Sequence, residues 1–336
     1  MAEIWFTDTT TSGQPLCESM MMKTRLLFMA LGAFVAITTP AQAKWPWDNW
    51  PMDRWLKPKP PALVFADPTP GSKKTWTRQS QDLQRLINKI VADANAADRG
   101  PCLVVVTHGW KEKTDWHKDM ALAIRDRLDG GLWICAWYDW RAQAKRPSAI
   151  DTTQSARLTF GPSLGRDIVA TSKDWRHVHL IGHSSGCWLI SEAAQTITQQ
   201  TKASVHLTFM DAYIPPFWHQ EELGCVVCQP NTVCWVDHYF SPDAASELTQ
   251  KPLSNALNVD LSAIDPGPNS HRFPFHWYQA TVVGRFIDKP YKDKPLFTRA
   301  GEIEYGFVRS LESGQTNWDY SRKLQGGNEP VMVIAK

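Results

Sequence analysis

Uninterrupted apolar runs alternate along this chain with segments in which apolar residues recur every three or four positions. Six of the runs are rich in β-branched and aromatic residues and are short enough to be strands. They are ALVFAD (62–67), CLVVVT (102–107), LWICAWYDW (132–140), HVHLIG (177–182), SVHLTFMDA (204–212) and TVCWVDHYF (232–240). Because these runs are mostly apolar rather than alternating, we expect strands that are covered on both faces.

The intervening segments have the periodicity of amphipathic helices. In residues 80–97, for example, Leu83 and Ile87 share one helical face. Further helices are expected at 115–128, around 164–172, at 186–200 and from about Pro274. Strands that alternate with helices form a parallel sheet with helices on both faces, so the pattern predicts an α/β fold. We expect the variable chemistry in the long connections, 216–231 and 260–276.

The first 43 residues predict a leader rather than part of the fold. Lys23 and Arg25 precede an apolar stretch from Leu26 to about Thr39, and Ala41-Gln42-Ala43 has the small residues of a cleavage site. A membrane-spanning helix needs about 20 apolar residues, so a retained signal anchor is the minor alternative. We expect translation to start at a methionine in 20–22. The exported chain, residues 44–336, is expected to fold as a single α/β domain, periplasmic or extracellular.

Charge and composition restrict the partners. The formal charge is +2 at pH 7, and 21% of the residues are charged. This charge is too small for binding to a polyanion, so we expect no nucleic-acid partner.

The segment after the leader places four tryptophans among prolines, at Trp45, Trp47, Trp50 and Trp55. This pattern favours packing on an apolar protein surface, with a peripheral membrane contact as the alternative.

Six of the seven cysteines follow the leader, in a compartment that preserves disulfides. Cys102 and Cys135 lie in predicted strands and Cys187 in a predicted helix, where a small free thiol packs well. The other three are clustered at Cys225, Cys228 and Cys234. We expect one local disulfide in this cluster, with Cys225–Cys234 favoured. Zinc bound by the cluster and the nearby His219 is the alternative, although only two of the cysteines are closely spaced.

Residues 179–190, HLIGHSSGCWLI, place a serine between two glycines where a predicted strand meets a predicted helix. So sharp a turn forces its central residue against the neighbouring backbone, and small residues are needed two positions away on each side. Gly182 and Gly186 supply them around Ser184. G-x-S-x-G between a strand and a helix is typical of a nucleophile elbow. We predict Ser184 as a nucleophile, with a glycine-rich turn that carries no chemistry as the alternative.

A second motif, Thr107-His108-Gly109-Trp110, follows the predicted strand at 102–107. When a hydroxyl attacks an ester, the tetrahedral intermediate carries an oxyanion that two preorganised backbone N–H groups can stabilise. In hydrolases of this layout, one comes from the residue after the nucleophile and one from the loop after the third strand. We therefore predict the amides of Ser185 and Trp110 as oxyanion donors, and His108 as a residue that structures the turn.

A serine hydroxyl becomes a nucleophile when a histidine accepts its proton. Histidines inside predicted strands and helices, and His183 within the elbow, should point away from the serine or serve in packing. Four candidates remain, His219, His238, His271 and His276. His271 is favoured because it ends a Gly/Pro loop just before a helix, where a base has room to move.

The histidine in turn needs a buried carboxylate that fixes its tautomer. Asp211 follows the predicted strand at 204–212 and should face the same rim of the sheet as Ser184. It is the favoured acid, with Asp237 in the next strand as the main alternative and Asp243 and Asp265 on later loops as further ones.

Taken together, the motifs resemble the catalytic domain of the pancreatic-type lipases, within the α/β-hydrolase superfamily. In chain order they are THGW, WYDWR, TQSARLTFGPSLGRDI, HVHLIGHSSG, FMDA and HRFPFHWY, over about residues 100–280. The resemblance implies the α/β-hydrolase fold, with a mostly parallel central sheet and helices on both faces. It also implies a triad of Ser184, Asp211 and His271, with Trp110 and Ser185 as oxyanion donors. The segment KEKTD after HGW departs from the family pattern, which bears on lipase activity more than on ester hydrolysis.

The sequence thus predicts a secreted serine hydrolase that cleaves a small-molecule or lipid carboxylic ester through an acyl-enzyme on Ser184, with no cofactor or metal. Two alternatives remain. A peptidase or amidase on the same fold would use the same triad. A secreted binding protein could instead have kept the scaffold without its catalysis, although an intact set of Ser, Asp and His in order argues against this.

Overall fold

The computed structural model contains a mostly parallel central sheet. The strands that it describes are β1 Ala62–Ala66, β2 Thr75–Trp76, β3 Cys102–Thr107, β4 Trp133–Asp139, β5 His177–His183, β6 Ser204–Met210, β7 Cys234–Phe240, β8 Leu257–Asp260, β9 Arg299–Ala300, β10 Ile303–Glu304 and β11 Pro330–Met332. Nine of them are ordered β11-β8-β7-β6-β5-β3-β4-β1-β2, and β9 and β10 pair separately. β1 is antiparallel to β4 and β2, and all other neighbours in the large sheet are parallel.

The structure describes residues 59–94, 100–128, 132–230, 232, 234–241, 249, 252–262, 264–265, 267, 270–300, 303–309 and 330–332. They belong to a unit that runs from Pro58 to Lys336. The predicted leader, residues 1–43, and the four tryptophans at positions 45–55 lie outside the described residues. Those two assignments therefore stay predictions.

Helices cover both faces of the sheet, as the sequence predicted. They are α1 Gln81–Ala94, α2 Trp116–Arg127, α3 Ala149–Ser155, α4 Gly161–Thr171, α5 Gly186–Gln200 and α6 Phe273–Val283. Apolar side chains of α1, α4 and α5 pack on one face, and those of α2 and α6 pack on the other. Within the described residues, none of the helices combines the length and apolarity needed to cross a membrane. The predicted α/β-hydrolase architecture is confirmed.

The helix predicted around residues 164–172 begins earlier than expected. Ser148 caps α3 by accepting a hydrogen bond from the Asp151 amide at 3.0 Å. A π-helical turn, Ala156–Phe160, then joins α3 to α4. The polar sequence of α3 hides this extension, because α3 buries few apolar side chains of its own.

The sequence analysis did not predict the short strands β2, β8, β9, β10 and β11, of which β8 is the longest. The four residues of β8 lie within a stretch, 244–263, in which leucines are scattered among polar residues, a composition typical of a solvated connection. The structure instead buries Leu257 and Val259 and pairs the strand with β7. A run of four residues is too short for its periodicity to separate a strand from a loop.

The cysteines divide into two groups. Cys102, Cys135 and Cys187 are buried free thiols, as predicted. The predicted Cys225–Cys234 disulfide is wrong, because Cys234 retains its thiol and hydrogen-bonds through it to the Cys228 thiol. Pairing of β7 with β6 holds Cys234 beside Val205, which the spacing of cysteines along the chain does not reveal. The alternative zinc set with His219 does not assemble among the described residues.

The loop between β3 and α2 folds around the carboxylate of Glu112. Its Oε1 accepts hydrogen bonds from the amides of Lys113 and Thr114, at 2.8 and 2.7 Å, and from the Thr114 hydroxyl at 2.7 Å. Its Oε2 accepts from the Trp116 indole at 2.9 Å. Burial raises the pKa of this carboxyl, but the four hydrogen bonds to its ionised form outweigh burial and bring the pKa to about 2. The charged form of Glu112 therefore holds the loop in place.

We expect Glu112→Gln to destabilise the protein by about 1–2 kcal/mol at pH 7, a range reduced for the partial exposure of the carboxylate. Because the folded-state pKa lies below the ordinary value of 4.5, this stability is present above pH 4.5 and is lost as the pH falls towards 2. Urea unfolding of both proteins from pH 7 to pH 3 measures the difference, which should narrow below pH 4.5.

Asp82→Asn is the control, because it breaks an exposed ion pair with Lys74 and should change the free energy of unfolding little at any pH. A difference between wild type and Glu112→Gln that stays constant across the pH range would contradict the charged state of Glu112.

Candidate active site

Ser184 occupies the turn between β5 and α5 with a backbone φ of +55°. This left-handed conformation costs a residue with a Cβ about 1–2 kcal/mol. The flanking glycines make room for it. A Cβ on Gly182 would lie 2.8 Å from the Gly186 carbonyl oxygen, and a Cβ on Gly186 would lie 2.5 Å from the His108 carbonyl oxygen. The spacing of the two glycines therefore has the steric cause that the sequence predicted.

The loop after β3 presses directly against this turn. A Cβ on Gly109 would lie 2.8 Å from Ser184 Cβ and 2.9 Å from the His183 carbonyl oxygen. The ring of His108 accepts a hydrogen bond from the Trp140 amide at 3.2 Å, and the Trp140 indole donates to the His108 carbonyl at 2.9 Å. His108 thus structures the turn, as predicted, and Gly109 lets its backbone reach Ser184.

Gly109 and Ser184 are in close contact, and each is followed directly by a predicted oxyanion donor. Trp110 follows Gly109, and Ser185 follows Ser184. Within the part of the chain that the structure describes, no carbonyl oxygen accepts from either amide. Side chains fix both residues. The Trp110 indole donates to the Arg146 carbonyl at 3.0 Å, and the Ser185 hydroxyl is hydrogen-bonded to the Thr153 hydroxyl at 2.8 Å. The backbone here is held by contacts that leave the two amides available.

His271 lies on a 3₁₀ turn, Ser270–Arg272, directly before α6, and its Nδ1 is 2.5 Å from Asp211 Oδ2. Asp211 follows β6, is fully buried, and accepts a second hydrogen bond from the Ser241 amide at 3.2 Å. Burial raises the pKa of the Asp211 carboxyl, and the hydrogen bond from His271 opposes that shift. With Nδ1 engaged, Nε2 is the ring nitrogen of His271 that remains for chemistry.

The other three candidate histidines have different surroundings. Both ring nitrogens of His238 are hydrogen-bonded within the fold, and burial lowers its pKa to about 4. His276 lies on α6 with its Nδ1 2.5 Å from Asp288 Oδ2. His219 is exposed beside a short 3₁₀ turn. Of the four, His271 is the one that contacts a candidate acid.

Two of the three alternative acids are described, and both contact groups other than His271. Asp237 is buried on the sheet, where its Oδ1 is 3.0 Å from His206 Nε2 and 2.6 Å from Thr208 Oγ1. Asp265 accepts a hydrogen bond from the Ser241 hydroxyl. Asp243 lies outside the described residues. The structure thus brings Asp211 together with His271, and it places Asp237 in a separate polar cluster.

One neighbour of the site was missed by the sequence analysis. His183 was set aside because a residue within the elbow should point away from the serine, yet its Nε2 lies 2.8 Å from the His271 carbonyl oxygen. The two rings are 4.6 Å apart between centroids. The contact joins residues 88 positions apart, so no local pattern could have indicated it.

A cluster beneath the β3 loop has the donor types of a metal site. Single donor atoms of His108, His117 and Asp139 all lie within 4.8 Å of one another. The Asp139 carboxylate, however, is already paired with the Arg141 guanidinium, with Nη2 2.6 Å from Oδ2. A cation held there would lie against a fixed positive charge, so the geometry favours an internal ion-pair cluster that supports the loop.

One comparison with known proteins identifies a family. The profile of the alpha/beta hydrolase family matches residues 103–291, more than half of the chain. Among solved structures, the chain is similar to LpqC, a poly(3-hydroxybutyrate) depolymerase from Bordetella parapertussis, with 16% identity and a TM-score of 0.30. That match covers 55% of this chain and 67% of the other. A search among curated proteins gave no match. Because the family profile covers more than half of the chain, the chain belongs to the alpha/beta hydrolase family.

Proposed function

We propose that this protein is a serine hydrolase that cleaves carboxylic esters through an acyl-enzyme on Ser184. The observation that carries the proposal is the Asp211–His271 pair, which lies at the same end of the sheet as the left-handed turn at Ser184. A carboxylate that orients a histidine next to a strained serine turn is the arrangement required to activate a hydroxyl.

In the first step, His271 is the general base. Its Nδ1–H donates to Asp211, so Nε2 carries the lone pair that takes the proton from Ser184 Oγ. The serine oxygen forms a bond to the ester carbonyl carbon as that proton leaves. The His271 side chain is 34% exposed, which leaves room for a substrate to approach the ring.

Asp211 stabilises the imidazolium that this transfer creates. Its hydrogen bond fixes the tautomer with the proton on Nδ1, and the Ser241 amide holds the carboxylate from its other side. Complete burial of Asp211 strengthens the attraction between the two charges, because water does not screen them.

The amides of Trp110 and Ser185 then stabilise the oxyanion. Each such donor typically lowers the barrier by about 3 kcal/mol. When the tetrahedral intermediate collapses, the alcohol leaves with the proton from His271. Water attacks the acyl-enzyme by the same route, and the carboxylic acid leaves as Ser184 recovers its proton.

The remaining elements of the proposal concern the surroundings of the enzyme. We propose export by the leader at residues 1–43 and a periplasmic or extracellular location. The substrate is proposed to be a small-molecule or lipid ester, reached without a cofactor or a nucleic-acid partner. Contact of the tryptophans at positions 45–55 with a membrane surface is a lesser element of the proposal.

Ser184→Ala should lower kcat for p-nitrophenyl butyrate by about 10⁴-fold or more, because the nucleophile is removed. Ser155→Ala, which removes a helix-surface hydroxyl bonded to the Asp151 carbonyl, is the control and should retain the wild-type rate. A fluorophosphonate should label wild type and the control but not Ser184→Ala. Activity of Ser184→Ala within tenfold of wild type would contradict the proposal, and faster cleavage of peptide anilides than of esters by wild type would favour an amidase.

Asp211→Asn should fold but lose about 10⁴-fold in kcat, because an amide permits the wrong imidazole tautomer. Asp237→Asn is the matched control, since it changes a buried carboxylate that pairs with His206 rather than with His271. It should lower the melting temperature while leaving kcat of the folded protein within about threefold of wild type. Circular dichroism and initial ester rates measure both effects, and the reverse pattern of activity would assign the acid to Asp237.

We expect short or medium esters to be preferred, without interfacial activation. A lid that opens at an oil surface needs an amphipathic helix of useful length. The two segments that could supply a lid are the loop between Cys225 and Cys234 and the stretch 244–263. The described residues of the loop form no such helix, and β8 occupies part of the stretch. Hydrolysis of tributyrin, measured through its solubility limit, should rise smoothly. A sharp increase in rate as the emulsion forms would reveal a lid.

A further inference from the structure

His183 ends β5, directly before Ser184, and is the point where three segments of the site meet. Its side chain is buried, with 5% of the residue exposed. The ring of Trp116, at the start of α2, packs edge-on against it at 5.9 Å between centroids, and Phe275 of α6 does so at 5.0 Å. Trp116 and Phe275 are themselves stacked at 4.4 Å. The ring of His183 is therefore packed against both members of an aromatic stack.

The polar end of this ring reaches the turn that carries His271. Because a carbonyl oxygen can only accept, the 2.8 Å contact requires the Nε2–H of His183 to donate to the His271 carbonyl. Burial lowers the pKa of His183 well below its ordinary range, and the nearby His271 lowers it further. The ring consequently stays neutral, with one proton placed on the nitrogen that faces His271.

We propose that His183 is a positioning residue for His271, acting through this hydrogen bond to the backbone of the 3₁₀ turn. The inference rests on the proposed function, in which His271 is the base. Asp211 fixes the ring of His271 but not the main chain that carries it, and the His271 side chain is 34% exposed. The bond from His183 fixes the main chain, so that Nδ1 stays on Asp211 and, under the proposed function, Nε2 stays available to Ser184.

The contact is anchored to the same element as the nucleophile. His183 and Ser184 are adjacent, so a shift of the turn at Ser184 also moves the Nε2–H donor of His183. The turn that carries His271 then moves with Ser184, and the distance between base and nucleophile is preserved. A misplacement of about 1 Å in such an arrangement can cost about 10²-fold in rate. A simple packing role would instead depend on the aromatic contacts with Trp116 and Phe275.

Two substitutions separate these roles. His183→Phe keeps an aromatic ring against Trp116 and Phe275 but has no donor. His183→Gln loses the ring but can place an amide N–H near the His271 carbonyl. Positioning predicts that the Gln variant is the more active, whereas packing predicts that the Phe variant is. His276→Gln is the control, because His276 lies on the adjacent helix and pairs with Asp288 instead.

The experiment measures kcat and KM for p-nitrophenyl butyrate, after circular dichroism has shown that each variant is folded. We expect His183→Phe to lose about 10²-fold in kcat with KM within about threefold of wild type, and His183→Gln to recover kcat to within about tenfold of wild type. His276→Gln should stay within about twofold. A Phe variant as active as wild type, or a Gln variant no faster than Phe, would overturn the proposal. If the Phe variant does not fold, His183→Leu takes its place as the donor-free variant.

A second readout does not depend on ester hydrolysis. In proton NMR, the strongly deshielded Nδ1 proton of His271 in its bond to Asp211 should be present in wild type and His183→Gln, and broadened or lost in His183→Phe. Its full retention in the Phe variant would overturn the positioning role. Ser184→Ala, assayed in parallel, reports on the proposed hydrolase activity alone, so that a failure of either idea can be recognised.

Discussion

The crowded left-handed turn at Ser184 is the constraint on which the rest of the site depends. Three glycines, at 109, 182 and 186, are each required by backbone or side-chain atoms within about 3 Å of a would-be Cβ. Burial of α5 holds the turn in this conformation, since Trp188, Leu189 and Ile190 of that helix are fully enclosed. Packing of one helix thereby stabilises a serine conformation that the isolated chain would avoid.

The two carboxylates that organise the loops have opposite net pKa shifts, although burial raises the pKa of both. Asp211 is fully enclosed, and burial raises its pKa despite hydrogen bonds from His271 and the Ser241 amide. Glu112 is less enclosed and has four hydrogen bonds to its ionised form, which bring its pKa to about 2. Asp211 is thus placed where it faces a histidine that changes charge, whereas Glu112 keeps a fixed charge that shapes the loop before α2.

The site is assembled from loops at the carboxyl ends of neighbouring parallel strands. β3, β5 and β6 are adjacent in the sheet, so the turns that carry Trp110, Ser184 and Asp211 emerge side by side. His271 is the member that comes from a distant loop, and its contacts with Asp211 and His183 join it to this edge. The aromatic stack of Trp116 on Phe275 supports that junction from the loop after β3.

The sequence by itself determined the elements with long apolar patterns and the turns with strict steric demands. Continuous runs marked the strands from β1 to β7, apart from the two-residue β2, and Gly182 and Gly186 marked the elbow, because periodicity and crowding are local properties of the chain. The structure alone decided that β8 is a strand and that Cys234 lies beside Cys228 rather than bonding Cys225. It also decided between the carboxylates, since Asp211 pairs with His271 and Asp237 pairs with His206. The cysteine and carboxylate contacts are choices among chemically equivalent partners, and only the register of the packed strands and helices brings one partner within hydrogen-bonding distance and leaves the others out of reach.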